Sequence, residues 1–211
     1  MKRFLCLFLF TVLLTAALCF CAVETPRGFD FNGNGFTDRQ DLVAGARRDA
    51  VNHPNYDPSY FEEGWPPEDT GVCADVIWRA FREAGYDLRA MISADIAAHQ
   101  GDYPTIVEPN DAIDFRRVRN LKVFFDKYAE SLTCDLNDRG AWQPGDIAVF
   151  RTDKHIGIIS DRTAEDGTPL LLHNGGQEDR EENYLVSHEV TSHYRFDARS
   201  LPAEYLIAWE Q

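Results

Sequence analysis

From residue 142 onward the chain is a succession of short apolar runs separated by tight turns, and this pattern limits the fold more than any other. Gln143-Pro144-Gly145-Asp146 is a turn leading into Ile147–Phe150. His155–Ser160 is a second run, Asp166-Gly167 a turn, and Leu170–His173 a third. Ser192–Phe196 and Tyr205–Trp209 complete the set. Strands joined by such short turns predict an antiparallel sheet. The preceding half, about 43–130, carries the helical period instead. Val76, Ile77, Ala80, Phe81 and Ala84 recur on one stripe after Cys73, with Asp69 or Thr70 as caps and Gly85 as the stop. Leu121, Phe124, Phe125 and Tyr128 do the same over Val118–Tyr128, and Leu42–Val51 and Met91–His99 make weaker helices. Residues 52–69, rich in Pro, Tyr and acids, read as loop. Helices first and sheet second define an α+β domain.

Residues 1–22 stand apart from that domain. Lys2 and Arg3 precede an apolar run from Phe4 to about Phe20, then small residues, the layout of a secretory signal. The protein is therefore expected to be exported: secreted, periplasmic or on the cell surface. A lipid anchor is not expected, because Leu18 or Phe20 would precede the modified cysteine where a small residue belongs. No second apolar run is long enough to span a bilayer. The formal charge of −14 argues against nucleic acid and anionic membranes as partners. A monomer is expected. Outside the signal only Cys73 and Cys134 remain, and in an oxidising compartment a bridge between them is the alternative to a free, reactive Cys73.

Cys73 lies where a helix begins and His155 opens a buried strand. A thiol at a helix N-terminus has its pKa lowered by the helix dipole, and a nearby imidazole takes its proton. Strand alternation puts His155, Gly157 and Ile159 on one face. If the next strand pairs with this one, His173 shares that face and can orient His155, with Asn174 as the rival. Arg116, Arg117 and Arg119 follow a turn, where they can grip a substrate carboxylate or simply form ion pairs.

The motifs G-V-C-A-D-V, Q-P-G-D-I-A-V-F, H-I-G-I-I-S and L-L-H-N resemble, in order and spacing, those of NlpC-type peptidoglycan cysteine peptidases. Together with Tyr103-Pro104, Asp114–Leu121 and His193–Phe196, they more closely resemble a bacterial family, domain of unknown function 1287, related to those peptidases. The resemblance covers residue 28 to the C-terminus. It implies a papain-like NlpC-type fold with the nucleophile helix packed on the sheet, over residues 43–211. It also implies the roles: Cys73 as nucleophile, His155 as base, His173 as orienting residue. Peptidoglycan or another cell-envelope amide becomes the expected substrate, with no cofactor in catalysis. An acyltransferase on the same scaffold, or a non-enzymatic calcium-stabilised envelope-binding module, are the alternatives. One departure is that the acidic residue often found just before the nucleophile is missing; Gly71-Val72 stand there and Asp75 follows.

The segment 28–42 carries a second pattern. Asp30, Asn32, Asn34, the backbone of Phe36, Asp38 and Asp41 fall at the spacing of an oxygen-rich calcium loop, with Gly35 at the sharp turn. A structural calcium ion is the expectation, and a solvated Asn/Gly turn the alternative.

Overall fold

The computed structural model describes residues 28–210, and its first helix, α1 (Asp38–Asn52), begins four residues before the apolar pattern does. The cause is a capping box. Thr37 Oγ1 accepts the Gln40 N–H at 3.3 Å, and Gln40 Oε1 accepts the Thr37 N–H at 2.8 Å. The second helix, α2 (Cys73–Glu83), is capped by neither Asp69 nor Thr70, contrary to the sequence expectation. The backbone there is committed elsewhere: β2 (Thr70–Gly71) pairs in parallel with β1 (Asn55–Tyr56) and stays extended. The turn into helix therefore waits until Val72, whose N–H is taken back by the Asp75 carboxylate at 2.7 Å. Gly85, with φ of +88°, ends the helix in a conformation that costs other residues dearly.

Two further helices follow, α3 (Leu88–His99), capped by Asp87 on the Ala90 N–H at 2.9 Å, and α4 (Val118–Tyr128). The remaining strands are β3 (Glu130–Ser131), β4 (Ile147–Phe150), β5 (His155–Thr163), β6 (Pro169–Leu172), β7 (Glu181–Glu182) and β8 (Val190–Arg195). They form one antiparallel sheet in the order β3-β8-β4-β5-β6-β7, so the last strand inserts beside β4. The expected strand over Tyr205–Trp209 does not form. A 3-10 turn occupies Ala203–Tyr205, and only one bridge follows, Ala208 with Tyr86. Its aromatic residue serves the helical layer: the Trp209 ring packs 5.2 Å from Trp65 and 6.5 Å from Trp78.

Alternation along the strands divides two apolar clusters. Ile147, Val149, Ile156, Ile158, Leu172 and Tyr194 meet the helices, where Ile77, Phe81 and Phe125 are fully buried. Ala148, Phe150, Ile159 and Leu171 pack on the other side against Trp142, Tyr184 and Leu185. Truncating Phe81 to Ala costs about 3–5 kcal/mol by loss of transfer energy plus cavity. Gly157 permits the closeness of β5 and β6, since a Cβ there would stand 2.8 Å from Leu171 Cγ and from the Leu172 carbonyl oxygen.

Candidate active site

Cys73 occupies the first turn of α2, which packs against β5, and the backbone N–H of Ile156, the residue after His155, acts to lower the thiol's pKa. The helix thus delivers the thiol to the start of β5. Burial pushes the Cys73 thiol up to about 11, with a further rise from the Asp75 carboxylate. The expected depression by the helix N-terminus is overturned: desolvation of the thiolate outweighs the dipole. Cys73 is a protonated thiol at rest. It is also free, as is Cys134, so the Cys73–Cys134 bridge is absent.

His155 opens β5, and its Nε2 lies 2.8 Å from His173 Nδ1. His173 follows β6 directly, in the alternation that the sequence implies, and its Nε2 lies 3.1 Å from Glu182 Oε1 on β7. A carboxylate only accepts, so the contact with Glu182 favours a proton on His173 Nε2 and a lone pair on Nδ1, to which the Gln177 amide nitrogen at 3.2 Å also donates; the same nitrogen lies 3.1 Å from Nε2. His155 then donates from Nε2, and its own Nδ1 is left as an acceptor. That tautomer follows from the hydrogen-bond chain rather than from observed hydrogens. Burial drives His155 down to about 4 and His173 to about 3, with neighbouring positive charges adding to the effect. Both imidazoles are neutral, as a general base must be. Tyr184 packs on both rings, at 5.1 and 4.4 Å between centroids.

The other expected site residues separate sharply. Asn174 is fully buried and points away from the imidazoles, bracing the backbone instead. Its Nδ2 donates to the Gly71 and Pro54 carbonyls at 3.2 and 3.3 Å, and its Oδ1 accepts from Arg180. It therefore does not compete with His173, because adjacent residues of an extended chain face opposite ways. Arg116 is not available to a substrate. Its guanidinium grips Asp75 at 2.7 and 2.9 Å, with both side chains buried, and donates to the Ser59 carbonyl. Arg117 is exposed and lines a cleft of roughly 490 Å³ into which Cys73 opens. A larger cavity of about 680 Å³, between the 28–42 loop, α1 and Arg195–Arg199, contains neither the thiol nor either imidazole.

Sequence reading passes over two residues. Glu182 lies in a polar stretch with nothing to single it out, and only strand pairing brings it to His173. Asp75 also accepts the Trp78 Nε1–H at 2.8 Å, holding the first turn of α2 in place. Its place two positions after Cys73 is the one signal the sequence carries.

The 28–42 segment folds as a closed turn. Asp30 collects the N–H groups of Gly33, Asn34 and Gly35 at 2.8, 3.2 and 2.9 Å. Asn32 and Asn34 donate through Nδ2 to Asp41, and Phe36 donates its N–H to Asn34 Oδ1. Asp38 accepts the Phe31 N–H and the Tyr86 hydroxyl. Among the described residues no group of three or more His, Cys, Asp or Glu side chains stands ready to hold a metal. The expected signal lies outside those residues, and none of their helices is long and apolar enough to cross a membrane.

Fold and site together define a mixed α+β protein with an antiparallel sheet, a buried thiol at the start of α2, which packs on β5, and two hydrogen-bonded imidazoles at the ends of β5 and β6. The model of the domain of unknown function DUF1287 matches residues 43–196, and the chain belongs to that family. It is similar to Uncharacterized protein YijF of Escherichia coli (strain K12), 36% identical over 165 residues, covering 74% of this chain and 80% of that protein. No solved structure matches the chain. The family match includes Cys73, His155, His173 and Glu182 and excludes the 28–42 loop.

Proposed function

We propose that the protein is an exported thiol hydrolase of papain-like, NlpC-type fold that cleaves an amide bond in peptidoglycan or another cell-envelope substrate. The observation that carries this reading is the hydrogen-bond chain from Glu182 through His173 to His155, which leaves His155 Nδ1 without a protein partner at the start of the strand on which the Cys73 helix packs. As the sulfur attacks the carbonyl carbon, its proton passes to His155 Nδ1 and a C–S bond forms. The tetrahedral oxyanion is met by the Cys73 backbone N–H, one of the first N–H groups of α2, which have no intrahelical acceptor. Collapse breaks the C–N bond, and the leaving amine takes the proton from His155. Water then attacks the thioester with His155 again as base, and the thiol is regenerated.

The proton therefore moves during attack, not before it. Burial raises the Cys73 thiol and lowers His155, and both shifts favour a neutral thiol and a neutral imidazole at rest. The reading uses no metal in the chemistry; a calcium ion at the 28–42 loop would serve structure. Acyl transfer to an amine shares the first half of the cycle, so product analysis with and without added amine separates the two outcomes. The test is digestion of purified muropeptides by the wild type and by Cys73→Ala, with products identified by mass. Amide-cleaved products gaining one water are expected from the wild type alone. Identical product patterns from both proteins, or none from the folded wild type, would count against the proposal.

A further inference from the structure

In a chain with 35 acidic and 21 basic side chains, cations are expected to find carboxylates. Among the described residues they largely do. Arg47, Arg48, Arg79, Arg82, Arg89 and Arg116 are ion-paired, as are Lys122, Lys127, Arg162, Arg195 and Arg199. Arg39, Arg139, Arg151 and Arg180 make side-chain hydrogen bonds instead. Three exposed cations among these residues do neither: Arg117, Arg119 and Lys154. All three line the cleft into which Cys73 opens.

Two separate elements bring them there. Arg117 is the N-cap of α4, with no side-chain cap on that helix end and no acidic residue in its first turn. Its unneutralised N-terminus adds a partial positive charge to the side chains. Lys154 arrives from the opposite wall, in the turn between β4 and β5, immediately before His155. That turn holds Arg151, Thr152 and Asp153 at φ of 52°, 53° and 66°. Three consecutive non-glycine residues in the left-handed region are strained, by about 1 kcal/mol or more each. The fold maintains this strain in the turn that sets Lys154 and His155 beside each other.

Two carboxylates share the cleft. Asp114 is buried, its Oδ2 accepting the Asn110 N–H at 2.7 Å, and burial raises its pKa; Asp153 is half-buried next to Lys154. Three cations and a bare helix end still outweigh them. In a protein of net charge −14 this is a local reversal of sign at the thiol.

We propose that the cleft selects an acyl substrate bearing a carboxylate close to the bond that Cys73 attacks, with Arg117, Arg119 and Lys154 as its charge-reading residues. The attacked bond rests on the hydrolase reading; the charge selection rests on the cleft alone. Iodoacetate and iodoacetamide test the two separately. Both are small and lose iodide as the sulfur–carbon bond forms, the thiol proton passing to base, but only iodoacetate is an anion. Rates are read by peptide mass at Cys73, with Cys134 in the same molecule as the reference.

The expected ratio of iodoacetate to iodoacetamide rates is about ten-fold higher at Cys73 than at Cys134 in low salt, and it shrinks as salt screens the cleft. In Arg117→Gln/Arg119→Gln/Lys154→Gln it falls to the Cys134 value. A wild-type ratio equal to that of Cys134, or a high ratio that survives the triple substitution, overturns the proposal. Slow reaction with both reagents at an elevated ratio would sink the hydrolase reading while sustaining the charge selection.

Discussion

Two buried histidines of this protein sit in opposite kinds of network. His193 on β8 is closed on every side. Its Nδ1 meets the Thr133 carbonyl at 2.8 Å, its Nε2 meets Asp146 at 3.0 Å, and Trp142 stacks on its ring at 3.9 Å. Arg195 completes the Asp146 ion pair at 2.7 and 2.8 Å. His155 has a partner on one nitrogen only, and that partner is itself oriented by Glu182. A histidine with both nitrogens satisfied in a buried cage is a structural brace. His155, with one nitrogen free of protein partners, is the imidazole that the proposed function needs to move a proton.

The largest expected effects break this contrast at its two ends. His155→Ala should lower amide cleavage by about a thousand-fold or more, in line with loss of a general base, while thermal stability changes little. His193→Ala should do the reverse. Removing one member of a buried charged network costs about 3 kcal/mol, read as a lower urea midpoint, with kcat of the folded protein retained. If both variants lose activity and stability together, the distinction between the networks fails.

Acid sharpens the comparison. His155 and His173 fall to about 4 and about 3 from the ordinary 6.5. Below 6.5 the unfolded chain takes up protons that the folded state refuses. Their stabilising contribution is thus complete above 6.5 and is lost as pH falls toward 4 and 3. Urea unfolding at pH 7, 5.5 and 4.5 should show a steeper loss in the wild type than in His155→Gln/His173→Gln. Parallel slopes would mean that the pair is not held neutral by burial.

A smaller effect is expected at Glu182. Glu182→Gln leaves an amide whose oxygen can still accept from His173, so kcat should fall about ten-fold or less. Glu182→Ala, which leaves His173 free to change tautomer, should cost more and distort the pH profile. Equal activity of all three proteins would detach Glu182 from the chain. The smallest effect concerns the 28–42 loop. Its turn is already closed by its own hydrogen bonds, so millimolar calcium should raise Tm by only a few degrees, and only with Asp30 present. No shift in either the wild type or Asp30→Ala would leave the loop as a self-satisfied turn.

Much of this was legible in the residues, for reasons that differ by element. Val118–Tyr128 forms as its apolar period predicts because it buries one continuous face, and Ile147–Phe150 forms as a continuous apolar run because it is buried on both faces. His155 and His173 meet because strand alternation is geometric. Helix α2 begins at Cys73 as expected, but Asp69 and Thr70 do not cap it, because the β1–β2 pairing that holds Thr70 and Gly71 extended is a non-local contact. Tyr205–Trp209 has strand-like residues, but the aromatic surface of the helical layer claims them. Arg116 reads in sequence like its neighbours Arg117 and Arg119, and only the fold shows that Asp75 has already taken it. The thiol's rise runs against its helix position because burial is a property of the whole domain.

The central claim is that Cys73 is a nucleophile served by His155, and alkylation of the two cysteines by iodoacetamide near pH 7 tests it most directly. The account predicts that Cys73 reacts faster than Cys134 in the wild type and loses that advantage in His155→Ala. Cys73 reacting no faster than Cys134, or equally fast without His155, would contradict it.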